Sequence, residues 1–343
     1  MYSSASEQDM LAAIEQELRN ILEANALSPP KNHMYGMLHY HMGWLDKEFK
    51  PVESNTGKRV RPMLCLLCCE AAGGDWRQAV PAAVAIELLH NFSLIHDDIQ
   101  DQSPKRRGRF SLWYLWKTAL ALNAGDGLFT IAHLAMTRLL NRNVDQAIFT
   151  RALRRFDEAA LHLTLGQHAD LRFEGRSMVS KDEYVTMIKG KTASLISLAT
   201  ELGALIAGSS EEMTQNYADF GQNLGLAYQV RDDLLGIWGE ETTLGKSTSS
   251  DIINRKKTLP ILYGLEHNQE LLQLYTQPQL GNNANFVSRT MALLDKTGAH
   301  GFTTKQANHY TEYALHHLIA TEATNGAYLT LRHLTNKLAG RVT

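Results

Sequence analysis

The chain contains long segments rich in alanine, leucine, glutamate, glutamine and methionine, and this feature constrains its fold most strongly. Only 8 prolines interrupt 343 residues, and alternating β-branched residues are scarce. These residue types favour helices, whereas proline breaks them. We predict helices over Ser6–Asn25, His33–Phe49, Arg61–Ala72, Trp76–Gln102, Thr118–Asn141, Val144–Gly175, Lys181–Ala207, Glu211–Trp238, Thr258–His267, Asn285–Thr297, His300–Leu318 and Thr321–Leu338.

The breaks between these helices are short and polar, as at Gly73-Gly74-Asp75, Ser103–Arg109 and 240–257. No low-complexity linker separates two halves, and no clean internal repeat is present. The simplest fold class is therefore all-α, with residues 1–343 forming a single helical domain.

Charge and cysteine content narrow the possible environments and partners. The net charge of −2, with acids and bases interspersed, does not suggest a nucleic-acid partner. Residues 1–10 lack the basic and apolar regions of a signal peptide. Apolar stretches such as 192–208 contain a charge, Glu201, and we expect no transmembrane segment. Cys65, Cys68 and Cys69 have no second ligand pair for zinc and are expected to be buried and reduced. These features predict a soluble cytoplasmic protein.

Two aspartates lie four residues apart near the end of one predicted helix. Asp97 and Asp101 would lie on one helical face, about 6 Å apart along the axis. The apolar residues before them indicate a mostly buried helix, and buried acids need a cation or a basic partner. A basic turn, Lys105–Arg109, follows directly. Carboxylates bind Mg²⁺ and arginine binds phosphate oxygens, so the segment predicts a polyphosphate site.

The same arrangement returns later in the chain. Asp232 and Asp233 come near the end of a predicted helix, and a loop rich in glycine and lysine follows over 245–258. Gly245-Lys246-Ser247 resembles a nucleotide-binding loop only superficially, because the preceding strand and the upstream glycine are missing. We therefore reject an ATPase.

Seven motifs in order resemble those of trans-isoprenyl diphosphate synthases, the polyprenyl synthetases, and most closely the bacterial geranylgeranyl diphosphate synthases. They run from about Gly57 to Pro260: GKRVRP at 57–62, HNFSLIHDDIQD at 90–101, RRG at 106–108, GQHAD at 166–170, KTA at 191–193, YQVRDD at 228–233, and the segment 245–260. The resemblance implies an isoprenoid synthase fold, with about ten core helices around a central cavity. It also implies a homodimer.

The reaction implied by the resemblance is a head-to-tail, trans condensation of isopentenyl diphosphate with an allylic diphosphate. It depends on Mg²⁺, expected as three ions. The implied metal ligands are Asp97, Asp101, Asp170 and Asp232. The implied diphosphate ligands are Arg106, Lys191 and Lys246 for the leaving group, and Lys58, Arg61, His90 and Arg107 for isopentenyl diphosphate. Thr192 and Gln229 would stabilise the allylic cation, and Lys256 would order the closing loop.

Product length is expected to depend on Phe92 and Ser93, which lie five and four residues before Asp97. One aromatic and one small residue resemble the pattern of synthases that stop at geranylgeranyl diphosphate. The alternative is that Phe92 is an ordinary core residue, because buried phenylalanine is common. Gly236 stands where the family often has an acid, and we expect an aspartate there to be tolerated.

Three alternatives stay open. A class I terpene cyclase also uses two acidic motifs, and Glu240, eight residues after Asp232, fits its second motif. Such a cyclase binds one diphosphate and has no use for a second set of cations. A farnesyl or longer-chain synthase is a further possibility. An inactive regulatory subunit would usually lack part of the first acidic motif or its arginines, and this chain retains both.

Overall fold

Helices form nearly all the regular structure in the computed structural model, which describes residues 5–24, 33–52, 54, 57–239, 250–276, 283–338 and 340. The first α-helices are α1 (Ala5–Ala24), α2 (His33–His41), α3 (Val60–Ala71), α4 (Val80–Gln100), α5 (Leu112–Thr137), α6 (Gln146–Glu174), α7 (Lys181–Ile188) and α8 (Ser194–Ile206). The others are α9 (Glu211–Trp238), α10 (Ser250–Ile253), α11 (Leu259–His267), α12 (Gln269–Thr276), α13 (Asn283–Thr297), α14 (Ala299–Ala320) and α15 (Gly326–Leu338). The all-α prediction is confirmed.

The shorter elements are a hairpin of β1 (Lys105–Arg106) and β2 (Arg109–Phe110), 3₁₀ turns at Trp76–Ala79 and Arg138–Arg142, and a π-helical turn at Lys189–Ala193. The sequence predicted the hairpin only as a basic turn. It predicted one helix over 181–207, where the π turn separates α7 from α8. Both features depend on contacts that a local pattern does not contain.

Two other helix predictions need correction. The helix predicted to reach Phe49 ends at His41, and the chain turns at Gly43 with a φ of 87°, which a helix cannot accommodate. In α5, Lys117 has φ 72° and ψ 159°, so the helix is broken directly before the predicted start at Thr118. Its first turns, from Leu112, were not predicted.

The chain groups into two compact units, each made of three chain segments. Unit 1 consists of Met1–Asp157, Leu198–Gln215 and Ala323–Tyr328. Unit 2 consists of Glu158–Ser197, Asn216–Glu322 and Leu329–Thr343. The single domain predicted over 1–343 stays a prediction.

The cores of both units are apolar. In unit 1, Cys65, Cys68 and Cys69 are fully buried free thiols, and burial raises the pKa of each. This agrees with the predicted packing role. In unit 2, one core cluster joins α7, α9 and α11 through residues such as Tyr184, Val230 and Leu262.

Two helical stretches of unit 1 are long and apolar enough to cross a membrane, judged by length and composition alone. They are Trp76–Gln100, whose most apolar window is 72% buried, and Leu112–Arg142, whose window is 44% buried. The expectation of no transmembrane segment was argued from the charged stretch 192–208 and did not consider these two helices. Core helices of soluble proteins pass the same test, so two such stretches are only a weak indication of a membrane span.

Candidate active site

The predicted acids of unit 1 lie at the C-terminal end of α4. The backbone N–H of Asp101 donates to the Asp97 carbonyl at 2.8 Å, which closes the last turn and keeps the two residues on one face. Asp97 is half-buried and Asp101 is exposed. The structure therefore brings these two predicted metal ligands together at a helix end.

The acid between them, Asp98, has a different partner. Asp98 is buried, and its Oδ1 accepts from both Nε and Nη2 of Arg106 at 2.8 Å. The β1–β2 hairpin pairs Arg106 with Arg109 and so turns the chain back towards α4. Asp98 anchors the predicted phosphate ligand Arg106, a role that sequence reasoning did not assign.

The basic loops of unit 1 adopt left-handed backbone conformations. Gly57 has φ 88°, Arg59 φ 48°, Arg107 φ 51° and Gly108 φ 80°. A Cβ at Gly57 would lie 3.0 Å from the Arg107 guanidinium, so this glycine lets the two loops approach closely. The approach brings Arg107 to the loop that carries Lys58, which is exposed. Non-glycine residues with a left-handed backbone conformation are strained, and such residues concentrate at functional sites.

Arg59 fixes the start of α3 from within. Its side chain is buried and donates to Glu15 at 2.7 Å and to Glu87 at 2.8 Å. Of the guanidinium's nitrogen atoms, Nε donates to Glu15 and Nη1 donates to Glu87. Arg61 follows on α3 and is half-buried. Arg59 is thus a structural cation within the motif whose other cations, Lys58 and Arg61, are predicted ligands.

Two histidines of unit 1 are held neutral near these arginines. Burial, together with the charges of Arg107 and Arg106, lowers the pKa of His41 to about 3. Burial also lowers the pKa of His90 well below its usual range, with Arg61 and Arg107 adding to the effect. A neutral His90 can still donate one N–H to an anion. The local charge of this region therefore comes from arginine and lysine.

The predicted chain-length residues lie on α4. The Phe92 ring packs 5.0 Å from Phe129 of α5 and 4.6 Å from His96, measured between ring centroids. Ser93 donates to the His90 carbonyl at 2.8 Å. Phe92 is half-buried, so these contacts fit both a core residue and a residue that lines a tail-binding space.

In unit 2, glycines bring three helical elements close together. A Cβ at Gly166 of α6 would overlap the backbone N of Lys191, and one at Gly190 would lie 2.6 Å from the His162 carbonyl. On α9, a Cβ at Gly225 would lie 2.6 Å from Cα of Ala193. Each contact is shorter than a real Cβ tolerates. Glycine therefore permits α6 and α9 to pack against the π turn, a feature frequent at functional sites.

This packing pairs the predicted residues of unit 2. Lys191 donates to Asp170 Oδ2 at 2.5 Å, and Thr192 Oγ1 donates to Gln229 Oε1 at 2.7 Å. All four line a cavity of about 260 Å³ together with the exposed Asp232. We call this space the unit 2 cavity; its lining also includes Asp233, Gly236, Asp251, Lys256 and Lys257.

Asp233 is the centre of a buried hydrogen-bond network beneath the cavity. Its Oδ2 accepts from the Tyr184 hydroxyl and from the Leu259 N–H at 3.0 Å, and its Oδ1 accepts from Gln229 Nε2 at 3.0 Å. Burial raises the pKa of Asp233 to about 7, although all three hydrogen bonds lower it. Sequence reasoning gave Asp233 only a supporting role; its partner Tyr184 lies 49 residues away.

Gly236 lies against Asp251. A Cβ at position 236 would overlap Oδ2 of Asp251, so an aspartate there requires that carboxylate to move. The expectation that an aspartate is tolerated at 236 stays a prediction. The predicted ligand Lys256 lines the unit 2 cavity and is exposed. Lys246 and Glu240 lie outside the described residues.

The donor chemistry of the site suits Mg²⁺. Within the described residues no group of three or more histidine, cysteine, aspartate or glutamate side chains is placed to hold a metal ion. Mg²⁺ keeps several waters and is commonly held by one or two carboxylates together with substrate phosphates. The pair Asp97 and Asp101 fits this mode, as does the exposed Asp232. Asp170 is engaged by Lys191, so its assignment as a metal ligand stays a prediction.

Comparison with known sequences supports the motif assignment. The chain is 43% identical over 244 residues to the (2E,6E)-farnesyl diphosphate synthase of Mycobacterium tuberculosis; the match covers 71% of this chain but 66%, just under two thirds, of that relative. It is 36% identical over 277 residues to the geranylgeranyl diphosphate synthase of the same organism, covering 80% of this chain and 78% of the relative.

Solved structures share the fold. The polyprenyl synthetase from Streptomyces coelicolor A3(2) superposes with a TM-score of 0.86 at 32% identity, covering 96% of this chain and 98% of that one. The polyprenyl synthetase family model matches residues 42–291, which include all seven motifs described above. The chain belongs to the polyprenyl synthetase family.

Proposed function

We propose that this chain is a prenyltransferase that condenses isopentenyl diphosphate with an allylic diphosphate, head to tail and in trans. The product is a short-chain prenyl diphosphate, for which we propose geranylgeranyl diphosphate. The observation that carries the proposal is the arrangement within the unit 2 cavity, where the oxygen atoms of Thr192 and Gln229 lie beside an exposed acid and three lysines. This combination suits an anionic leaving group and a cationic intermediate.

The hydrogen-bond network orients the two oxygens. Gln229 Nε2 is held by Asp233, so its Oε1 must point to Thr192. The Thr192 hydroxyl donates its hydrogen bond to Gln229 Oε1, which leaves the lone pairs of Thr192 Oγ1 and one lone pair of Gln229 Oε1 for an electron-poor carbon. Fixed dipoles of this kind stabilise developing charge without reorganisation. Neither oxygen is ionised, so neither competes strongly as a nucleophile.

In the proposed reaction the diphosphate leaves with the electron pair of its C–O bond, and an allylic cation remains. The double bond of isopentenyl diphosphate then forms the new C–C bond, and the proton that is lost passes to an oxygen of the released diphosphate. Lys191 and Lys256, with Lys246, would bind the leaving group. Mg²⁺, held by Asp97, Asp101 and Asp232, would supply positive charge that stabilises the departing anion.

The basic loops of unit 1 support a second diphosphate site. Lys58, Arg61, Arg107 and the neutral His90 would bind isopentenyl diphosphate, and Arg106, anchored by Asp98, would bind the allylic diphosphate. Guanidinium groups match phosphate geometry in a fork.

A terpene cyclase is the rival function, because it shares the acidic motifs. Consumption of isopentenyl diphosphate separates the two. The purified chain is incubated with Mg²⁺, isopentenyl diphosphate and dimethylallyl, geranyl or farnesyl diphosphate in turn, and products are identified by mass. Chain elongation with each primer supports the proposal. Cyclic products formed without isopentenyl diphosphate contradict it.

Product length is open to the same measurement, since the relatives include both farnesyl and geranylgeranyl diphosphate synthases. Release of farnesyl diphosphate without further elongation would assign the shorter product. A chain that shows no turnover alone but accelerates a partner synthase would be a regulatory subunit.

We also propose a cytoplasmic homodimer. Helix α5 leaves Leu120, Leu122 and Leu134 between 41% and 47% exposed, and exposed apolar side chains on one helix favour association. Light scattering of the protein eluted from a size-exclusion column measures its molar mass and so tests the dimer. The mass of a monomer at the concentration used for activity measurements would contradict it.

A further inference from the structure

Helix α4 buries a carboxylate, Glu87, among its apolar residues. Glu87 is 3% exposed. Its Oε1 accepts from Arg59 Nη1 at 2.8 Å and from Asn91 Nδ2 at 3.0 Å. A buried carboxylate is costly unless it is paired and hydrogen-bonded, so these two partners stabilise it in the core. The proposed reaction makes no use of this acid.

The partners of Glu87 extend the hydrogen bonding to the neighbouring helices. Arg59, directly before α3, also donates to Glu15 of α1 at 2.7 Å. Asn91, fully buried on α4, donates a second hydrogen bond to the Glu87 carbonyl at 2.8 Å. Burial lowers the pKa of His41 on α2 and the Asn91 side chain opposes this shift, so these two side chains lie close together. We call these five residues the Glu87 network; it joins α1, α2, α4 and the start of α3.

Three proposed ligands of isopentenyl diphosphate lie beside the Glu87 network. Lys58 directly precedes the buried guanidinium of the network, and His90 directly precedes its buried amide. The third ligand is Arg107: loss of hydration lowers the pKa of its guanidinium, and the charge of Glu87 raises it. Ligands keep their geometry when packing and hydrogen bonds behind them are fixed. The placement of these three cationic and polar groups therefore depends on the network.

Charge alone does not explain a carboxylate at this place, because a negative charge near a diphosphate site opposes anion binding. We propose that Glu87 is a positioning residue for isopentenyl diphosphate. Through the Glu87 network it fixes the loop before α3 against the middle of α4, so that the ligands on both segments face one anion. The inference rests on the proposed function and deepens it, because it assigns the geometry of the second diphosphate site to a buried residue outside the set of ligands.

The test measures the affinity for isopentenyl diphosphate, for which charge and geometry predict opposite changes. E87Q removes a negative charge near an anion site, so charge alone predicts tighter binding. Loss of positioning predicts weaker binding. A misplacement of about 1 Å can cost about a hundredfold, and we expect the dissociation constant to rise about tenfold or more. Isopentenyl diphosphate is titrated by calorimetry into the full chain with Mg²⁺ and without an allylic substrate, so that no reaction occurs.

The exchange variant E87Q/N91D tests the same point with the net charge restored. It keeps one carboxylate and one amide in the Glu87 network, with their positions exchanged. Positioning predicts that it binds isopentenyl diphosphate more tightly than E87Q does, whereas charge alone predicts weaker binding than in E87Q. Non-additivity is expected of two residues that share one hydrogen-bond network.

E17Q is the matched control for lost stability. Glu17 is also a buried acid of unit 1, and it pairs with Arg138 at 2.7 Å, at the C-terminal end of α5. The same substitution at this position is expected to lower the melting temperature and to leave the affinity for isopentenyl diphosphate unchanged. Circular dichroism measures the melting temperatures of all variants.

Unchanged or tighter binding in E87Q overturns the inference, and so does an equal loss of affinity in E17Q. If E87Q fails to fold, N91L decides, because it changes no charge and keeps the pair of Arg59 and Glu87; unchanged affinity in N91L then overturns the inference.

The outcome is distinguishable from that of the reaction. A protein that shows the expected binding pattern but does not elongate refutes the proposed function alone. A protein that elongates, with unchanged affinity in E87Q, refutes the inference alone. Absence of isopentenyl diphosphate binding in the unaltered protein contradicts both.

Discussion

The two units build their charged groups in different ways. In unit 1 the basic groups stand on or beside loops whose backbone is left-handed at Arg59 and Arg107; Lys58 and Arg107 are exposed, whereas Arg59 is buried. In unit 2 the polar groups stand on helix faces that glycines bring into contact, and they are paired in a network through Asp233. Unit 1 thus offers positively charged side chains, whereas unit 2 fixes the orientation of its polar side chains. This is the difference expected between a surface that captures an anion and one that orients a reacting carbon.

The largest effect is expected from substitution of Asp232, the exposed acid of unit 2. Asp232→Ala is expected to lower turnover about 10³-fold or more, because it removes a charge that holds the cation stabilising the leaving group, worth several kcal/mol. Steady-state kinetics at saturating Mg²⁺ measures the effect. Asp97→Ala in unit 1 is expected to be similar, since Asp97 is also a proposed Mg²⁺ ligand.

The control is D182N, which changes the same charge outside the cavity. It should leave turnover unchanged. A loss smaller than tenfold in Asp232→Ala would show that Asp232 is not a required metal ligand.

Asp233 is a buried acid in the hydrogen-bond network of unit 2 and Asp98 is a buried acid beside the basic loop of unit 1, and replacing each acid compares how much the two arrangements stabilise the fold. Asp233→Asn replaces an acceptor of three hydrogen bonds by an amide whose NH₂ must face at least one donor. Each unsatisfied buried donor costs about 1–3 kcal/mol, so we expect a loss of about 2–4 kcal/mol in the free energy of unfolding. Asp98→Asn loses an ion pair whose arginine is 30% exposed, and a smaller loss is expected because water reaches Arg106. Urea unfolding measures both.

Tyr184→Phe is the matched control within the network. It removes one donor and leaves the Leu259 and Gln229 bonds to Asp233, so a loss of about 1 kcal/mol is expected. If Asp98→Asn proved more destabilising than Asp233→Asn, unit 1 would be the more rigidly organised region.

Phe92 of unit 1 is the residue expected to limit the length of the product's apolar tail. Phe92→Ala is expected to lengthen the product by at least one isoprene unit, because it opens space beside Phe129 one turn before the acids. Mass analysis of products formed from farnesyl diphosphate measures the change.

Leu94→Ala is the control, since residue 94 points to another face of α4. It should leave product length unchanged. The same product distribution in Phe92→Ala would make Phe92 an ordinary core residue, as the sequence also allowed.

The sequence predicted the elements that depend on local pattern. Helix α9 was predicted with its observed bounds, and Asp97 and Asp101 were placed correctly at a helix end. The rest depends on contacts between distant residues. Tyr184 meets Asp233, and Asp251 meets Gly236, through packing that neither segment encodes alone. The π turn at Lys191 likewise requires the close approach of Gly166. Isolated glycines inside predicted helices were the signal that could have indicated these approaches.

The smallest expected effect concerns protonation in the loop region of unit 1. The folded pKa of His41 is about 3, below its ordinary 6.5. Between these values the unfolded chain binds a proton that the folded chain refuses, so stability is fully present above pH 6.5 and falls as pH falls. We expect a loss of about 1–2 kcal/mol by about pH 5, which His41→Gln should remove while His168→Gln, an exposed control in unit 2, should not. Urea unfolding above pH 6.5 and at about pH 5 measures this loss of stability. Equal pH dependence of stability in the unaltered protein and His41→Gln would contradict this prediction. It would mean that the arginines do not prevent His41 from gaining a positive charge in the folded protein, and that the basic loops are less rigid than their geometry indicates.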